Sequence, residues 1–105
     1  MKFKLIISQR AEELLDNILY YIINQLKNSQ AATNLLNQIE HVYDKLQQNP
    51  MIYACLDDVK LKERVYRKAS IQNYDYIIIY RVDVETYTVY VLGFFHTLES
   101  YINKL

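Results

Sequence analysis

The chain has 105 residues, 51% of them hydrophobic, and twelve basic residues balance twelve acidic ones for a formal net charge of zero. That length suits a single domain over residues 1–105, able to bury about two thirds of its unfolded surface without disulfides or a metal. Zero net charge excludes the whole-molecule signature of a nucleic-acid-binding domain. The lone cysteine, Cys55, excludes an internal disulfide framework and suits a reducing cytoplasm.

The apolar run at the N-terminus is too short for a signal peptide, and no segment reaches the length of a membrane span. A cytoplasmic protein with no membrane partner is the expectation. Lys2–Ser8 alternates Lys2 and Lys4 with Phe3, Leu5 and Ile7, which predicts a short strand with one wet face. Ser8 offers an N-cap oxygen, and Glu12, Glu13 and Asp16 sit where a helix dipole favours acids. Ala11, Leu14, Leu15, Ile18, Ile22 and Leu26 then form an apolar stripe at helical spacing, ending near Lys27. Asn28-Ser29 turns the chain, with Ser29 a second cap. Ala32, Leu35, Leu36, Ile39, Val42, Tyr43 and Leu46 repeat the period until Pro50 stops the helix at about Asn49. So short a connection predicts an antiparallel helical hairpin.

Met51–Glu63 has no clean period and reads as a loop. From Val65 to His96 the chain holds three β-branched and aromatic segments, Val65–Ile71, Tyr74–Val82 and Thr88–Phe95, parted by short polar connectors. This is the pattern of an antiparallel meander. Ile77-Ile78-Ile79 is apolar on both alternating faces and belongs to a central strand. Arg67 and Lys68 fall on opposite faces of the first segment. Leu98, Tyr101, Ile102 and Leu105 share a helical face at the C-terminus. The order predicts an α+β fold: an N-terminal strand and a helical hairpin packed on one face of a twisted antiparallel sheet. The other face is expected to be open and to carry part of the set Tyr66, Tyr74, Tyr76, Tyr80, Tyr87 and Tyr90, an aromatic area that marks a partner site.

Between Lys60 and Lys68 lie five of the twelve cations (Lys60, Lys62, Arg64, Arg67 and Lys68) and one acid, Glu63. With Arg81 they are candidates for binding a phosphate or a target surface; the bland alternative is edge-strand protection against aggregation. His96 ends the last strand and is a candidate general acid or base, with a structural histidine as its alternative. His41 reads as a surface residue. No His/Cys spacing suits a metal, Cys55 has no recognisable base, and the single glycine, Gly93, offers no phosphate-cradling loop. Neither a metal nor a cofactor is expected.

Taken together, these residues resemble the RelE/ParE superfamily of bacterial type II toxins along nearly the whole chain. The resemblance rests on Ser8-x-x-Ala11, Ile18-x-x-Tyr21-Ile22, the helix from Ala31 to Ile39, and Leu46-x-x-x-Pro50. It continues through Tyr66-Arg67-Lys68, Asn73-Tyr74, Ile79-Tyr80-Arg81-Val82-Asp83, Val89–Val91 and His96. It implies a growth-arresting toxin, of the kind used in plasmid stabilization, neutralised by a cognate antitoxin. It also implies one of two targets. RelE-like members are ribosome-dependent endoribonucleases that cut messenger RNA, with basic residues on the sheet and a C-terminal Tyr, Arg or His. On that reading Arg67, His96 and Tyr101 are the catalytic positions. ParE-like members inhibit DNA gyrase and have no known hydrolytic site. The arginine that RelE-like enzymes carry early in the central strand is Ile77 here, and the chain is not basic; both features favour the ParE-like side. A non-toxic module that still binds an antitoxin is the alternative from another class.

Overall fold

The computed structural model describes residues 2–55, 66–71 and 73–97. Strand β1 (Lys4–Ile7) leads into helix α1 (Gln9–Tyr20), which continues as one wider π-helical stretch over Tyr21–Gln25. Helix α2 (Ser29–Gln48) returns antiparallel to it, followed by β2 (Tyr66–Ser70), β3 (Tyr76–Asp83) and β4 (Thr88–His96). The sheet order is β1-β4-β3-β2. The meander is antiparallel as expected, but β1 pairs parallel with β4, so the sheet is mixed. The reason is topological: β1 joins the meander on the far side of its last strand, and the intervening hairpin supplies the long connection that a parallel pair requires.

Local chemistry explains the helix ends. Ser8 caps α1, its hydroxyl accepting from the Ala11 N–H at 3.0 Å. The second cap is Asn28 rather than Ser29: its side-chain oxygen accepts from the Ala31 N–H at 3.0 Å, and Ser29 is the first helical residue. The predicted first helix is interrupted at Tyr21, where the Leu26 N–H reaches back five residues to the Tyr21 carbonyl. Lys27, with φ at 54°, then closes the turn. One face of α2, Ala32, Leu35, Ile39, Val42 and Leu46, is buried against the sheet. Each large side chain there stabilises the fold by about 1.5–3 kcal/mol relative to exposure.

On the sheet, the hairpin-facing side carries Ala69 and Ile71 of the β2 region, Ile78 and Tyr80 of β3, and Val89, Val91 and Phe94 of β4. The opposite side carries Ile77, Ile79 and Phe95, which are also buried, with Leu14 and Tyr66 packed on them among the described residues. That side is therefore open only in part. A register shift between Ile79 and Tyr80 leaves Leu92 unopposed, a bulge that bends β4 beside α1. Gly93 lies next to it, and a Cβ there would strike the ring of Phe95 and stand 3.3 Å from Leu14. A side chain at that position would have to push the Phe95 ring aside and press on Leu14 of the helix above.

Candidate functional site

The sequence-derived candidates separate into three places. Arg67 lies on the hairpin side of β2, opposite Tyr80. Its guanidinium donates to the Tyr53 carbonyl at 2.6 Å, and the Tyr80 hydroxyl donates to the Pro50 carbonyl at 2.7 Å. These two bonds fasten the segment after α2 to the sheet, helped by the edge-on contact of Tyr53 and Tyr80 and by the Lys68 N–H donating to the Ala54 carbonyl. Burial pushes the Tyr80 phenol far above its ordinary value, with the nearby Arg67 charge pulling the other way. Burial likewise raises the Tyr53 phenol.

His96 occupies the far end of β4, opposite Tyr76, whose ring it meets edge-on at 5.5 Å. It borders two adjoining cavities of about 260 Å³ each. One lies against Leu14, Ile18, Tyr21 and Phe94, the other against Ile22, Leu26, Ala31 and Tyr74, and Tyr76 is shared. Beside them the π-helical stretch turns Tyr20, Tyr21, Ile23 and Leu26 outward, each between 44% and 63% exposed. This groove is the apolar surface that the sequence pattern did not reveal. A plain helical period assigns Leu26 to the core, and only the extra residue per turn re-aims it.

Lys68 and Arg81 are on the side away from the hairpin. There Tyr66, Arg81 and Tyr90 stand directly opposite one another across β2, β3 and β4, and Ile6 of β1 continues the row. The Arg81 guanidinium lies 4.2 Å from the centre of the Tyr90 ring. A cavity of about 240 Å³ next to this row is lined by Ser8, Arg10, Tyr66 and Leu92. The expected tyrosine face is thus divided. Tyr66 and Tyr90 are on it, whereas Tyr74, Tyr76 and Tyr80 pack on the hairpin side and Tyr87 lies in the β3–β4 turn.

Arg67 and His96 share a face but do not converge. Four residues along the strands and two strands across separate them by about 13 Å and about 10 Å respectively. Lys60, Lys62, Arg64 and Tyr101 lie outside the described residues. His41 is exposed on α2, beside Lys45 at the rim of a polar concavity. Ile77, only 3% exposed, packs with Ile79 and Phe95. A guanidinium at that position would lose its hydration without gaining a partner from that cluster. Among the described residues no group of three His, Cys, Asp or Glu could hold a metal ion, and no helix is long and apolar enough to cross a membrane.

Residues 5–101 match the family model of the ParE toxin of the type II toxin–antitoxin system parDE. The chain belongs to this toxin family. No curated protein matches it. Among solved structures, the chromosomal ParDE toxin–antitoxin system of P. aeruginosa superimposes with a TM-score of 0.70 at 16% identity, covering 90% of this chain and 96% of that one. The RelBE2 toxin–antitoxin complex of Mycobacterium tuberculosis gives 0.61 at 15% identity, over 91% and 92% of the two chains. The isolated E. coli RelE toxin gives 0.59 at 16%, over 97% and 92%. At such identities these likenesses concern the fold, and they place the chain among RelE/ParE-like α+β domains. As a ParE-family member it is the toxin of a type II toxin–antitoxin system.

Proposed function

We propose that this toxin arrests growth by inhibiting DNA gyrase and that its cognate antitoxin neutralises it in the cytoplasm. The observation that carries the reading is the separation of Arg67 from His96. Cleavage of messenger RNA needs a proton-transfer group within about 3 Å of the reacting oxygen and cations on the developing phosphorane charge. Here the cation opposite Tyr80 is engaged with the Tyr53 carbonyl, and the histidine stands at the other end of the sheet. A buried isoleucine at position 77 supports the same reading. A toxin that binds its target needs no such convergence.

For the antitoxin we infer an amphipathic helix seated in the groove bordered by Tyr21, Leu26, Tyr76 and His96. The support is the exposed apolar area of the π-helical stretch, a kind of surface that partners use. The test is induction of the toxin gene without antitoxin, with viable counts, for the wild type and for His96→Gln and Arg67→Gln. Arrest by all three, relieved by gyrase overproduction, is the expected result. Loss of toxicity in His96→Gln at equal soluble expression would return the ribosome-dependent nuclease to first place.

A further inference from the structure

A neutral chain can still segregate its charge, and this one does. On the sheet face away from the hairpin, the strand positions carry Lys4, Lys68 and Arg81, and Arg10 of α1 lines the adjoining cavity. The only acid among the described strand positions of that face is Asp83, and its carboxylate accepts from the Glu85 and Thr86 N–H groups within its own turn. The acids of the helices, Glu12, Glu13, Asp16, Glu40 and Asp44, are exposed on the hairpin, and of these Glu13 stands one turn from Arg10, where it accepts from the Gln9 side-chain amide. Between the cations stand two half-exposed aromatic rings, Tyr66 and Tyr90, in one cross-strand row.

Cations that track a backbone, alternating with flat rings that take unstacked bases, make up a surface for single-stranded nucleic acid. We propose that this face binds a short segment of single-stranded DNA, with Tyr66 and Tyr90 stacking on bases and Lys4, Arg10, Lys68 and Arg81 holding phosphates. The row is three strands wide, about 10 Å from β2 to β4, which accommodates one or two nucleotides. The cavity of about 240 Å³ beside Tyr66 is below the drug-sized range and suits a single base with its phosphate. Arg81 is held against Tyr90 in advance, so little side-chain freedom remains to be lost when a phosphate arrives. The choice of DNA over RNA rests on the gyrase reading, since DNA is the substrate of gyrase. The interaction itself requires only the cations and the rings.

The experiment is fluorescence anisotropy of a labelled oligothymidylate with purified toxin, at several salt concentrations and with no gyrase present. Four phosphate contacts predict a slope of log affinity against log salt near −2.8, at about −0.7 per contact on single strands. The charge reversals Arg10→Glu and Lys68→Glu, both at exposed sites, should together flatten it to about −1.4. Arg10→Glu places an acid in the first turn of α1, where the dipole favours it, so the fold is not at risk. Tyr90→Leu should weaken binding by about ten-fold, while Tyr90→Phe, which keeps the stacking ring, retains it. Lys45→Glu, on the hairpin, should leave binding unchanged. An equal loss from Lys45→Glu, an unaltered slope in the double reversal, or tighter binding of oligouridylate would each overturn the proposal. Because gyrase is absent, failure here leaves gyrase inhibition to be judged by its own assay, and DNA binding without gyrase inhibition would sink that reading alone.

Discussion

Replacing Tyr80 by phenylalanine removes one oxygen and leaves the ring in place. In the wild type that hydroxyl donates to the Pro50 carbonyl at 2.7 Å, and both residues are buried. The variant therefore strands a buried acceptor, at a cost of about 1–3 kcal/mol. For a domain of this size each kcal/mol lowers the melting temperature by roughly 4–8 °C, so a fall of about 5–15 °C is expected with an unchanged denaturant m-value. The pH dependence carries a second signature. Burial raises the Tyr80 phenol above the ordinary value of 10.0, so the fold favours the neutral form. Stability from that preference is fully present below pH 10 and is lost as pH climbs beyond it toward the folded-state value. Tyr80→Phe should accordingly lose part of the alkaline destabilisation seen in the wild type. Urea titration at neutral and alkaline pH reads both effects. Equal midpoints for the two proteins at pH 7 would refute the inference that this bond fastens the segment after α2.

Ile39→Ala, at a buried position of α2, should cost about 2–5 kcal/mol in urea unfolding, whereas Gln25→Ala on an exposed turn should stay within about 0.5 kcal/mol. Gly93→Ala must push against Phe95 and Leu14 and is expected to destabilise by about 1–3 kcal/mol in the same assay. Ser8→Ala removes the cap of α1 and should cost about 0.5–2 kcal/mol, while Ser8→Asp should restore most of it. Hydrogen exchange with antitoxin added should protect the amides around Tyr21–Leu26 and His96; protection confined to β2 would place the antitoxin elsewhere.

Much of this fold could be read from periodicity. The stripe from Ala32 to Leu46 and the cap at Ser8 are local signals, and local signals survive folding intact. The parallel pairing of β1 was not legible, because four alternating residues state which face is wet but not which neighbour or direction they choose. The tyrosines misled for a related reason. Alternation puts Tyr76 and Tyr80 on one face of β3 and Tyr66 and Tyr90 on the other side of the sheet, but it does not say which of the two faces the hairpin covers. The extra residue Leu92 in β4 hides the pattern further, because it breaks the alternation between Tyr90 and Phe94. The candidate site was legible as a list of cations and a histidine. Its division over two faces and two ends of the sheet depends on register, which no motif encodes. The π-helical turn was equally hidden: Tyr21–Gln25 holds weak helix formers, Tyr, Ile and Asn, but weak propensity does not specify a wider turn.

A toxin that acts on gyrase without hydrolysing RNA, as proposed above, must inhibit the supercoiling of relaxed plasmid by purified gyrase. With no ribosome present, the wild type and His96→Gln should inhibit supercoiling equally, and neither should cut messenger when ribosomes are supplied. Untouched supercoiling, together with ribosome-dependent cleavage that His96→Gln abolishes, would contradict the account.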